Sequence, residues 1–139
     1  MTALAARESA LLTALFALSS VATALVHGVY VPRHVPEEFV VALPFLVVGW
    51  ATFALAFYAL GRMLSEPEEM PNMRALDGGI AVFLASIVLS GILDTAGMTI
   101  ETMPLVHALP ALGVYAGLAL AGWGLGERAK VIERITTGG

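Results

Sequence analysis

The residues best suited to chemistry in this chain fall into two stripes of equal spacing. Ser19, Thr23 and His27 occupy positions i, i+4 and i+8, and Ser86, Ser90 and Asp94 repeat that spacing 67 residues later. Side chains four apart stack along one face of a helix, so each stripe is a ladder of two hydroxyls ending in an ionisable group. Both ladders lie inside long apolar runs, where a polar side chain is costly in lipid and turns toward protein or water. Together the six residues mark a polar centre. The hydroxyls can bond their own backbone or a neighbouring helix, or they can line a half-channel for protons, water or an ion. Phe16 and Phe83 continue the same two columns toward the other ends of the helices, so a continuous pore through one chain is not expected.

Metal or haem ligation is a second possibility. His27, His34 and His107 map to one side of the chain, near Glu37, Glu38, Asp94, Glu101, Met98 and Met103. Imidazole, carboxylate and thioether are ligands for zinc, copper or haem iron. No tight spacing such as His-x3-His occurs, so a transition metal or haem would be held between separate helices, with His27 and His107 as the axial candidates. His34, between Pro32 and Pro36, reads as a solvated loop residue. Asp94 reads either as a structural partner of His27 or as a functional acid, since a carboxylate inside a span marks a working site by default.

The elements that position these groups follow from composition. The chain has 139 residues, of which 58% are hydrophobic and 13% charged, and a mean hydropathy of +0.86. Soluble domains carry about 25% charged residues, and half that density points to lipid. Four runs reach the roughly 20 residues needed to cross a bilayer core: 10–31, 39–61, 78–97 and 105–125. The connections are too short for a further domain, which predicts one all-α unit of four transmembrane helices over 1–139. Cysteine is absent, which excludes disulfides, thiolate metal sites and cysteine nucleophiles. The net charge of −4 is scattered, so no nucleic-acid surface is expected. Six basic residues (Arg7, Arg62, Arg74, Arg128, Lys130 and Arg134) fall on the side of both termini, against Arg33 alone on the other. By the positive-inside bias both termini are cytoplasmic, in the plasma membrane. Val21-Ala22-Thr23-Ala24 resembles a signal-peptidase site, but Glu8 beside Arg7 and the apolar run continuing to Val31 favour retention of the first helix.

The chain also reads as a duplicated hairpin. At an offset of 66, seven of 23 positions in 40–62 match their counterparts, Pro44 with Pro110 and Arg62 with Arg128 among them. At an offset of 67, Phe16, Ser19, Thr23 and His27 pair with Phe83, Ser86, Ser90 and Asp94. Copies of two crossings each share one orientation, as parallel repeats do. A pseudo-two-fold axis between the first and third helices would bring His27 and Asp94 face to face at equal depth. Pro44 and Pro110 are expected to kink the even helices and free the carbonyls of Val40 and Val106. Gly113, Gly117 and Ala121 form a small-residue packing face, directed either into the bundle or at a partner chain. Trp50 and Tyr115 lie deep enough to need partners for their polar hydrogens. The segment Ser65–Met73 reads as a rigid acidic turn.

No phosphate loop, dinucleotide fingerprint, nucleophile elbow or zincin motif is present. The leading expectation is a non-catalytic accessory or assembly subunit of a larger membrane complex, such as a respiratory one, with a membrane-protein partner or a second copy of itself. The alternatives are a haem- or metal-binding electron-transfer protein and a proton- or ion-linked transporter.

Overall fold

A computed structural model describes residues 2–66 and 73–138. The acidic turn expected at 65–73 falls mostly outside them. The described residues form four long helices with no strand: α1 (Ala3–Leu25), α2 (Phe39–Leu64), α3 (Arg74–Thr95) and α4 (Ala108–Thr136). All four are long and apolar enough to cross a membrane. They extend past the apolar runs because each one's polar end continues the hydrogen-bonded ladder. The Thr2 hydroxyl caps α1 by accepting from Ala5 N at 3.3 Å, and Arg128 to Arg134 continue α4 past its last apolar stretch.

α1 does not stop cleanly. It passes into a π-helical turn, Val26–Tyr30, and then a 3-10 turn, Val31–Arg33, before the loop to α2. A π turn inserts one extra residue and re-aims the side chains that follow. His27 sits within it.

The helices pack in the order α1, α2, α4, α3, and α1 and α3 do not meet. The even helices are therefore central. Glycine explains why: α4 carries close-approach positions on two faces. A Cβ on Gly117 would lie 2.6 Å from Gly79 O and Phe83 N of α3, whereas one on Gly122 or Gly126 would collide with the carbonyls of Ala54 or Tyr58 on α2. Backbone contact of this kind supplies dispersion where large buried side chains are few. Val131 is the only large side chain that is almost wholly buried among the described residues. Gly113, Gly117 and Ala121 all face α3, Gly113 directly against Ser86.

The two prolines are not equivalent. Pro44 lies inside α2 and is exposed, but Pro110 is only the third residue of α4 and is buried. A first-turn residue has no helical acceptor for its N–H, so Pro110 breaks no ladder bond. The expected loss at Val106 does not arise.

At the end carrying the termini, Arg62 joins three helices. Its Nη2 donates to Glu8 of α1 and, at 2.5 Å, to Glu133 Oε2 of α4. Lys130 Nζ donates to Ser65 O at 2.5 Å beside it.

Candidate functional site

Five of the six residues of the expected polar centre separate into two places, and Asp94 belongs to neither. His27 and Asp94 do not meet, because their helices occupy the two outer positions of the bundle. Asp94 is exposed near the C-terminal end of α3. The expected axis lay between the odd helices, but the glycine faces of α4 draw the even helices together instead. The pair is a correction to the reading from sequence, and so is any shared proton path between the two groups.

The first centre forms where α1, α2 and α4 converge. His27 Nδ1 lies 2.9 Å from the Thr23 carbonyl, four residues back, and Nε2 is hydrogen-bonded to the Tyr115 hydroxyl. A carbonyl can only accept, so in the neutral ring Nδ1 carries the hydrogen and Nε2 accepts from the phenol. Tyr115 also meets the imidazole edge-on, with centroids 5.2 Å apart and planes at 69°. Thr23 Oγ1 donates to Ser19 O at 2.8 Å and sits 2.9 Å from Thr52 Oγ1, whose hydrogen can serve Thr23 or the Gly49 carbonyl. Gly49 makes room for the ring, since a Cβ there would lie 2.7 Å from His27 Cε1 and from Val26 Cγ1. Ser19 is buried, at 5% exposure, one turn below Thr23.

The second centre lies between α3, α4 and the loop joining them. His107 is buried, at 7% exposure, in the 3-10 turn Pro104–His107 ahead of α4. Its Nε2 lies 2.7 Å from the Met98 carbonyl and its Nδ1 2.8 Å from Ser90 Oγ. The neutral ring is therefore protonated on Nε2 and accepts the serine hydrogen on Nδ1, the tautomer opposite to that of His27. Ser86, one turn below Ser90, donates to Val82 O at 2.7 Å.

Neither imidazole keeps a free lone pair. His27 and His107 each use one nitrogen as donor to a backbone carbonyl and the other as acceptor of a hydroxyl, so neither is poised as an axial haem or metal ligand. Among the described residues no three His, Asp or Glu side chains gather to hold a metal. His34 pairs with Glu38 at 2.9 Å and stacks on Phe45, outside both centres.

Next to both centres is a cavity of about 280 Å³ between α2, α3 and α4, lined almost wholly by apolar groups. Trp50, Ser90, His107 and Tyr115 are among its lining residues. Trp50 Nε1 is buried without a hydrogen-bond acceptor.

Sequence reasoning missed Tyr115, Thr52 and Gly49 as partners of the first stripe. One signal was available: at the offset of 66, Gly49 corresponds to Tyr115, so the place that is opened in one hairpin is filled by a phenol in the other. Nothing in the local pattern pointed to the Met98 carbonyl or to the Arg62 cluster. Comparison with protein-family models, curated proteins and solved structures finds no match.

Proposed function

We propose that the chain is a multi-pass protein of the plasma membrane, built from a duplicated hairpin, that acts as a non-catalytic accessory or assembly subunit of a membrane complex. The observation that carries this reading is how the polar groups are used. His27, His107, Thr23 and Ser90 are engaged inside the bundle in bonds that join helices and hold loops, and Ser86 bonds its own helix. Bonds of this kind fix helices and loops against one another, the work expected of a subunit that orders a larger assembly. The electron-transfer alternative loses support on the same ground, since it requires His27 and His107 to be open to a metal or haem iron.

The packing order supports the duplication, with its axis moved. A two-fold relating the hairpins α1–α2 and α3–α4 places α2 beside α4 and the odd helices outside, which is the order observed. The glycines of α4 no longer speak for a partner, because they face α2 and α3. The outer helices do: the backbones of α1 and α3 each pack against one long helix, and α1 keeps Leu4, Leu11, Leu18, Val21 and Leu25 exposed. The charge bias supports cytoplasmic termini.

The test uses the full chain in cell membranes. A photo-crosslinking residue at Leu18 should yield one discrete protein adduct, either a partner subunit or a second copy. Adducts to lipid alone would remove the subunit reading. The chain has no native cysteine, so single cysteines give clean topology. Thr99→Cys should label from outside intact cells and Thr137→Cys only after lysis; the reverse pattern would contradict the orientation.

A further inference from the structure

The cavity beside the two histidine centres is a slot at the side of the bundle, and we infer that it holds one acyl chain of a phospholipid. The inference rests on the reading of the four helices as membrane spans and is independent of the subunit role. The backbones of α2 and α3 do not meet, so α4 forms the back wall between them, through Ala108 and Ala111. Leu46 of α2 and Ile87 of α3 form the sides. One turn below Ile87, Phe83 meets Trp50 edge-on across the gap, with centroids 5.7 Å apart and planes at 87°, and closes the floor. The opposite cleft shows what leaves this one open. α1 and α4 do not meet either, but there His27 crosses to Tyr115 and bridges the gap. Above the Phe83 floor, Ser90 of α3 turns to His107 and Asp94 is exposed.

Dimensions and polarity select the occupant. The lining descends α2 from Phe39 to Trp50, a helical length of about 16 Å. That is half of a hydrocarbon core roughly 30 Å thick, the depth of one leaflet. The volume is about 280 Å³, nearly twice that of a cavity of about 150 Å³ that holds benzene, so it takes about a dozen carbons. Drawn out over that depth, these carbons lie in single file, as in an acyl chain and not in a ring system. No polar group is left over to select a polar ligand. Ser90 and His107 bond one another, the Met98 carbonyl holds the second nitrogen of His107, and the Tyr115 hydroxyl gives its hydrogen to His27. The Trp50 nitrogen lies beside the Tyr115 hydroxyl and has no surface open to the slot. A ligand with donors or acceptors of its own would leave them unpaired against these walls, which is costly. A hydrocarbon chain has none to satisfy.

The test places the full chain in vesicles of phosphatidylcholine brominated either near the methyl end of the acyl chains or near the ester, since bromine quenches tryptophan on contact. Trp123→Phe leaves Trp50 as the only tryptophan. Bromine near the methyl end should quench Trp50 strongly and bromine near the ester little, because Trp50 sits at the floor. Ala111→Phe, and separately Ala108→Phe, should fill the slot and remove most of that quenching. A second reporter, Leu84→Trp with Trp50 and Trp123 both replaced by Phe, lies on the exposed side of α3 and should be quenched whether or not the slot is filled. No quenching at Leu84→Trp would remove the membrane reading, and the inference with it. Quenching at Leu84→Trp with none at Trp50, or Trp50 quenching that survives both filling variants, would overturn the slot alone.

Discussion

The two hairpins each hold one imidazole, and they hold it in opposite ways. In the α3–α4 hairpin, His107 is buried and ties its own helix start to Ser90 and the Met98 carbonyl, within 17 residues of sequence. In the α1–α2 hairpin, His27 is half-buried in a π turn and reaches 88 residues away to Tyr115 of the other hairpin. One histidine closes a hairpin; the other joins two. The backbone differs in the same sense. α3 and α4 touch through glycine against backbone at Gly79 and Gly117, while at the His27 level α1 and α2 meet across a single glycine opened for a side chain. The α3–α4 hairpin satisfies its histidine from within itself, and the other depends on it for the hydroxyl that His27 needs.

Substitutions can break this contrast, with effects read as unfolding free energy in a detergent titration followed by helicity. Gly117→Val should do most damage, about 3 kcal/mol, because its Cβ would press on Gly79 O and Phe83 N of a backbone with no room to yield. A small effect there would mean that α3 and α4 are not held by backbone contact. His107→Leu comes next, at about 2 kcal/mol, since it strands the Ser90 hydroxyl and the Met98 carbonyl away from water. His27→Leu should be milder than His107→Leu; an equal or larger loss would reverse the ranking of the two hairpins. Gly49→Ala should cost about 1 kcal/mol by crowding His27 Cε1 and Val26 Cγ1, and the part owed to the ring should vanish in the Gly49→Ala, His27→Ala pair. Additive losses would show that Gly49 does not cradle the ring. Tyr115→Phe removes one interhelical bond, worth about 0.6 kcal/mol. Asp94→Asn should stay within about 0.5 kcal/mol, as befits an exposed group.

The helices were legible because an apolar run of spanning length leaves a chain little else to form. The spacing of Ser19, Thr23 and His27 also read truly as one face of a helix. What a face meets is another matter. Four-residue spacing defines a direction around one axis but says nothing of which helix lies there, so Tyr115 and Thr52 could not be read from the stripe. The expected meeting of α1 and α3 fails for a physical reason that was partly visible. Gly113 and Gly117 lie on a different face of α4 from Gly122 and Gly126, and a helix with two glycine faces accepts two close neighbours. That makes α4 central and pushes α1 and α3 apart, carrying Asp94 away from His27. The π turn left no mark in composition, because the extra residue belongs to backbone geometry. His107 seemed open from its place at a helix start, but its ring is occupied by a loop carbonyl nine residues away in sequence.

Nitrogen-15 spectroscopy of the imidazoles tests the separation of the two centres most directly. At a pH of about 8.5, where an imidazole is ordinarily neutral, His27 should show its proton on Nδ1 and His107 on Nε2, each locked in one tautomer. Asp94→Asn should leave both signals unchanged. Rapid tautomer exchange at either ring, the same tautomer at both, or a His27 signal that follows Asp94 would contradict two closed and independent histidine sites.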